Sequence, residues 1–224
     1  PLFKFVSRDY SFTGYKMLPG KFLTKNIFFS QNKRIQTKII NGIADFLYQL
    51  HHFPSIKLND FSLEIMNLKE EYSEDFENTK KLIFPEISNH QQTSISNIFN
   101  EYLSDATNFN YTPVLIHNDF SVNHILFDEN EKKINGVIDF GDMAFGDADY
   151  DFMYLFDCFG NDFIEKMLKY YDHPFAEKLF KKLTFFSLAN KLQTLIVSIK
   201  ENDKDDIREG YTILKRWNHS RRIW

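Results

Sequence analysis

Four side chains lying close together in the sequence have the types and spacing to do chemistry: His117, Asp119, His124 and Asp139. Asp119 follows the apolar run Val114-Leu115-Ile116, and Asp139 follows the run that ends at Ile138. A carboxylate at the end of a strand is held rigidly at the rim of a cleft. There it can accept hydrogen bonds at both oxygens, take up a proton, or bind a hard cation. Singly, Asp and Asn after strands are ordinary turn residues. As a set, the four fall in loops around one expected hairpin, formed by Ile125-Leu126-Phe127 and residues 134–138 with a turn at 128–131. Such a hairpin brings them to one place. A weaker alternative is a hydrolase that holds Zn²⁺ among these two imidazoles and two carboxylates.

Helices must carry this hairpin. Ile35, Ile39, Ile43, Leu47 and Leu50 share one helical face, and that helix is expected to end near His51-His52, before Pro54. The two histidines then read as capping or solvated groups. Residues 59–80, rich in Glu, Asp, Asn and Lys, read as a polar connection with at most short helices. Ile95, Ile98, Phe99 and Tyr102 predict a helix before Asp105. Further helices are expected at about 151–159, 161–171, 175–200 and 204–217. Cys158 falls on an apolar one and reads as core. The first residues differ from the rest, with short β-like runs at 2–6 and 12–18 punctuated by Pro19-Gly20.

The two loop segments resemble the protein-kinase-like phosphotransferases, and most closely the aminoglycoside phosphotransferases of the 2″ branch. The likeness is carried by Leu115-Ile116-His117-Asn118-Asp119-Phe120-Ser121 with His124-Ile125-Leu126-Phe127-Asp128, and by Ile138-Asp139-Phe140-Gly141-Asp142. It extends from about 12 to 170. The resemblance implies an α+β fold: the large, mostly helical lobe of a kinase, with a small catalytic β-hairpin insert and remnant strands of the small lobe. Residues 1–25 would be that remnant and the interlobe hinge. Residues 26–224 would be the helical lobe, with the catalytic and metal loops at 114–142.

The resemblance also implies roles. Asp119 would be the catalytic base that aims a substrate hydroxyl at the γ-phosphate of ATP or GTP. His124 and Asp139 would hold Mg²⁺; most kinases carry Asn in place of His124, but the 2″ branch carries His. His117 would be structural, holding the catalytic loop by hydrogen bonds to backbone or to the Asp139 region. Lys16 and Leu18, in the hinge, would meet the nucleotide base.

The substrate side is acidic. Between 139 and 165 there are eight acids and no Lys or Arg: Asp139, Asp142, Asp147, Asp149, Asp151, Asp157, Asp162 and Glu165. Such a run is ordinarily a solvated face. Beginning at a metal site, it would also form a carboxylate wall that attracts a polycation. Aminoglycosides are polycations. Asp142, Asp157, Asp162 and Glu165 are therefore the expected substrate contacts, with Trp217 and Tyr211 on the last helix as aromatic walls or as core.

Composition narrows the setting. A single cysteine excludes an intrachain disulfide framework and favours a reducing, cytoplasmic location. No apolar run approaches the roughly 20 residues of a membrane span. A net charge of −4 argues against nucleic acid as partner. The oligomeric state is not legible. None of the 8 glycines forms G-x-G-x-x-G or a P-loop, and the chain opens Pro1-Leu2-Phe3 without Met. The expectation is a chain lacking most of the nucleotide lobe and incomplete for catalysis. Two alternatives stand beside an aminoglycoside kinase: a kinase of another hydroxylated metabolite, and a non-catalytic remnant that binds substrate only.

Overall fold

The computed structural model describes residues 3–6, 11–14, 16–54, 63–171, 173 and 176–220. Strand β1 (Phe3–Val6) pairs antiparallel with β2 (Ser11–Gly14). After β3 (Lys21–Phe22) come two helices, α1 (Lys25–Ser30) and α2 (Lys33–His51). Helix α2 starts where the Asn32 side chain accepts a hydrogen bond from the Ile35 N–H. It buries Ile39, Ile43 and Leu47 of the stripe that the sequence periodicity marks, with Ile40 and Ala44 beside them, while Ile35 and Leu50 are half-buried.

The polar stretch 59–80 is not a connection with only short helices. Its described part contains α3 (Leu68–Leu82), 15 residues long. The charges that obscured it are helix signals. Glu70 and Glu71 stand in the first turn and Lys80 and Lys81 in the last, each complementing the helix dipole. Leu68, Tyr72, Phe76 and Thr79 form the buried stripe, and the acids and lysines are largely the outward face. Next comes α4 (Asn89–Ser104), opened by a reciprocal cap: Ser88 Oγ accepts from the Gln91 N–H while the Gln91 side chain accepts from the Ser88 N–H. Ser88→Ala is expected to destabilise the fold by about 1 kcal/mol in urea titration, with an unchanged slope.

The middle of the chain is strand. β4 (Val114–Ile116) pairs with β7 (Ala144–Gly146), and β5 (Ile125–Asp128) pairs with β6 (Lys133–Val137). β3 adds to the outer edge of β5, giving the antiparallel order β3-β5-β6. A bulge at Asn135 shifts the β5–β6 register. Its side chain donates to the Pro19 carbonyl at 2.7 Å and so clips the 16–20 segment over the hairpin.

Helices α5 (Met153–Phe159), α6 (Asn161–Met167), α7 (Ala176–Glu201) and α8 (Lys204–Ser220) complete the fold. α7 is the axis of the core, burying Leu179, Leu183, Phe185, Phe186, Leu188, Leu192 and Leu195. Many of the phenylalanines serve this core. The Phe185 and Tyr102 rings stack with centroids 3.6 Å apart, and Phe76 stacks on Phe99. The architecture is mostly helical with small antiparallel sheets, the α+β class expected. Among the described residues, no helix is long and apolar enough to cross a membrane.

Candidate active site

Strand register explains why the two chemical loops meet. Ile116 pairs with Ala144, so the loop after β4 leaves beside the loop that enters β7. Ile125 pairs with Val137, and the Ile138 N–H donates to the His124 carbonyl at 2.9 Å. Residues 117–124 and 138–143 are thereby fixed side by side.

His124 lies between the two carboxylates. Its Nδ1 is 2.8 Å from the Asp119 backbone carbonyl and 3.5 Å from Asp119 Oδ2, while Nε2 is 3.4 Å from Asp139 Oδ2. A carbonyl oxygen can only accept, so Nδ1 carries the proton. In a neutral ring the Nε2 lone pair faces Asp139. One imidazole nitrogen and one carboxylate oxygen point at the same space. Among the described residues, no group of three or more His, Cys, Asp or Glu is arranged to hold a metal ion. Two protein ligands suit Mg²⁺, which usually keeps water and substrate phosphate as its other ligands, and do not suit a closed zinc site. The residues present therefore fit Mg²⁺. Asn123, beside His124, lies in a 3-10 turn and is exposed.

His117 is buried, and its Nε2 donates to the Ile138 carbonyl at 3.1 Å, tying the first loop to the second. Its Nδ1 is buried without a partner. Asn118 and Asp139 both have φ of +67°, left-handed backbone that non-glycine residues enter at a cost. Two of the central loop positions are thus held where the chain would not go by itself.

The acids after Asp139 do not form one wall. Asp147, Asp149 and Asp151 are buried and internally paired. Lys182 Nζ bridges Asp147 and Asp149, and His173 Nε2 reaches Asp149 at 2.6 Å. Asp151 takes His51, which is buried at the end of α2 and is neither a cap nor a solvated group; His52 is exposed. Asp157 is bonded by Lys191 and Ser187. It borders a groove of about 530 Å³ that also contains Asp119, His124 and Cys158. Cys158 is half-buried, and burial pushes its thiol pKa up, which makes it less reactive. Asp162 and Glu165 are exposed on α6 and line neither cavity that contains Asp119. Tyr211 is half-buried against the core, and the Trp217 side chain lies outside the described residues.

A second cavity, of about 500 Å³, opens on the other side of Asp119. Its acids are Glu64, Glu71, Asp75, Asp119 and Asp142, and no Lys, Arg or His lines it among the described residues. Tyr72, Tyr150 and Tyr154 form part of its walls. Glu64 and Met66 are placed there by backbone pairing: Phe145 N–H donates to Glu64 O, and Met66 N–H to Phe145 O. Glu71 and Asp75 sit four apart on α3 and so share a face. Burial, helped by Glu64, Asp75 and Glu70, raises the Glu71 pKa against the pull of the Asn67 N–H. Burial, with Glu74, also raises that of Asp75, against Lys200. Reading residues 59–80 as a connection missed these acids. The spacing Leu68, Tyr72, Phe76 and Thr79 was the signal that would have found their helix.

The model of the phosphotransferase enzyme family, APH, matches residues 8–179. The chain belongs to the APH phosphotransferase family. The solved fold of the GDP and kanamycin complex of APH(2")-IIIa superposes with a TM-score of 0.89 at 26% identity, over 96% of this chain and 73% of that one. The GDP complex of wild-type aminoglycoside 2'-phosphotransferase-IIIa gives 0.90 at 25% identity, with the same coverage. The gentamicin complex of APH(2")-IIa gives 0.73 at 29% identity, over 88% of this chain and 68% of that one. The kinase-like fold read from the two loop motifs is therefore the fold of this APH phosphotransferase. In it, Lys16 and Leu18 are exposed on the segment clipped over the β5–β6 hairpin. Gly136 makes room there: a Cβ at this position would come within 2.7 Å of Leu18 Cδ1.

Proposed function

We propose that this APH-family phosphotransferase moves the γ-phosphoryl group of ATP or GTP to a hydroxyl of an aminoglycoside, as an antibiotic-resistance kinase does. The observation that carries the reading is the cavity beside Asp119, walled by carboxylates with no cation among its described lining residues. A polycationic sugar fits such a wall, and a neutral metabolite would leave its charges uncompensated. The kanamycin and gentamicin complexes of similar structures support the same substrate class. Asp119 accepts the hydrogen bond of the substrate hydroxyl and takes its proton as the phosphoryl group departs from the nucleotide. His124 and Asp139 hold Mg²⁺, which neutralises phosphate charge when bound. His117 keeps the loop on Ile138. Lys16 and Leu18 meet the nucleotide base; residues 1–25 are the small-lobe remnant and interlobe hinge, and 26–224 the helical lobe.

Asp142, Glu71, Asp75 and Glu64 contact substrate ammonium groups. Asp157, largely neutralised by Lys191, borders the approach, and Asp162 and Glu165 act only as a diffuse field. The cytoplasm, with its nucleotides and reduced thiols, is the location. The test is direct. The protein is incubated with Mg²⁺, ATP or GTP, and kanamycin or gentamicin, and phosphorylated antibiotic is sought by mass spectrometry. Product is expected. Absence of product with every aminoglycoside, alongside turnover of an uncharged sugar, sinks the substrate assignment. Calorimetric binding of aminoglycoside without any nucleotide binding marks a binding remnant instead.

A proton linkage follows from the raised Glu71 pKa. An ammonium group nearby favours ionised Glu71, so binding lowers that pKa and releases protons. Affinity for a polycation is expected to fall as the pH drops through the Glu71 titration. Calorimetry in two buffers of different ionisation enthalpy reads the released protons directly. The double variant Glu71→Gln/Asp75→Asn is expected to weaken aminoglycoside binding roughly tenfold, less at high salt, since both acids are only partly buried.

A further inference from the structure

Asp151 is fully buried, and a buried carboxylate is costly unless hydrogen bonds satisfy it. It has three partners. Oδ1 accepts from the Asn118 N–H at 2.9 Å, and Oδ2 accepts from the His117 N–H at 2.8 Å. The third is His51 Nε2, 3.0 Å from Oδ2. Two consecutive amides bound by one carboxylate fix the orientation of the peptide between them. Those amides immediately precede Asp119, and one belongs to Asn118, whose φ is +67°. The carboxylate thus holds a strained backbone in the one place from which Asp119 projects.

His51 completes the arrangement from the far end of α2. Its side chain is 1% exposed, and its Nδ1 is 2.7 Å from the Tyr171 hydroxyl. The carboxylate accepts, so Nε2 carries the hydrogen, and in a neutral ring Nδ1 accepts from the Tyr171 O–H. One neutral imidazole satisfies both neighbours. The chain of bonds runs from Tyr171 through His51 and Asp151 into the loop amides. Without His51, Oδ2 keeps a single donor and the Tyr171 hydroxyl loses this acceptor. The carboxylate becomes free to rotate away from the peptide it clamps.

We propose that His51 is a positioning residue for the phosphotransfer site: through Asp151 it holds the left-handed Asn118 peptide and hence the direction of Asp119. The catalytic half of this statement rests on Asp119 being the base; the clamp itself does not. The variants His51→Leu, His51→Gln and Tyr171→Phe separate the two. Leu fills the space without hydrogen bonding. Gln can donate to Asp151 and accept from Tyr171.

Amide hydrogen exchange is measured at His117 and Asn118 and at core positions Phe99 and Leu183, together with kcat and KM. In His51→Leu, exchange at the two loop amides is expected to quicken about tenfold relative to the core, the loss of roughly one hydrogen bond. kcat falls to a similar extent with KM nearly unchanged, and His51→Gln restores most of both. Exchange that rises equally in loop and core, or at neither, overturns the proposal, as does a Gln variant no better than Leu. Should His51→Leu not fold, Tyr171→Phe decides: about threefold faster exchange at Asn118 with an unchanged core supports the clamp, and no change overturns it. Selective exchange in a protein that phosphorylates nothing keeps the clamp and removes only the phosphotransferase reading.

Discussion

Replacing Asp119 by Asn is expected to lower kcat for phosphoryl transfer by about 10²- to 10⁴-fold, the contribution typical of a positioned acid or base. The amide is nearly the same size and can still accept a hydrogen bond through its oxygen. It cannot take the hydroxyl proton. KM for nucleotide should hardly move, because the variant leaves His124, Asp139 and the 16–18 segment untouched. Stability should hardly move either. The Asp119 side chain is 34% exposed and serves no buried partner, and the loop backbone is anchored by Asp151. Steady-state kinetics with kanamycin or gentamicin, paired with a thermal melt, tests both halves. A folded Asp119→Asn protein with undiminished kcat would remove Asp119 from the chemistry.

The largest expected effect on stability is at Lys182. Its Nζ bridges the buried carboxylates of Asp147 and Asp149 and lies 5.9 Å from the Tyr111 ring centroid and 5.8 Å from that of Phe186. Burial disfavours the ammonium, but the two carboxylates outweigh it and hold the Lys182 pKa above the usual lysine value. Burial also works against Asp149, yet the His173 bond and the Lys182 charge lower its pKa. Burial and the neighbouring Asp149 charge raise that of Asp147, Lys182 notwithstanding. Lys182→Met keeps the stem and removes the charge, leaving two buried carboxylates without their shared cation, held by the His173 bond to Asp149 and the Asp149 N–H to Asp147. Breaking one partner out of such a group costs about 3–5 kcal/mol, or roughly 10 °C in a domain of this size.

The sign of the pH dependence follows. In the natural protein, the lowered pKa of Asp149 adds stability above its unfolded pKa, and that stability is lost as pH falls through the folded value. The variant keeps the His173 bond but lacks the Lys182 charge that helps to lower it, and its stranded carboxylates gain by taking up protons as the solution becomes acidic. The deficit of Lys182→Met is therefore greatest at neutral pH and narrows toward pH 5. Thermal denaturation at both values reads it. A deficit below about 1 kcal/mol, the value of an ordinary surface pair, would show that the bridge is not a buried one.

The contrast between these two sites shows what a sequence makes legible. The Asp119 loop was visible because its residues are contiguous and flanked by short apolar runs that are local in the sequence. Helices α2, α4, α7 and α8 were visible for the same reason, through apolar spacing. Helix α3 was lost because its surface charges outnumber its buried stripe of Leu68, Tyr72, Phe76 and Thr79. With it went Glu71 and Asp75, two of the five acids of the cavity wall. The acidic run from 139 to 165 was counted correctly and grouped wrongly. Asp142 and Asp149 look alike in sequence, yet one opens on a cavity and the other is buried against Lys182.

The sequence by itself determined the chemistry on offer. It placed carboxylate, imidazole and carboxylate at strand ends in the order of a phosphotransferase, on a helical body large enough to hold them. Only the tertiary structure decided which charges are free to meet a ligand. That decision depends on partners distant along the chain. His51 and Asp151 are 100 residues apart, and Asp147 and Lys182 are 35 apart. Burial and pairing are properties of the folded neighbourhood, so they select five carboxylates for the cavity and consign three others to holding the loop and the core.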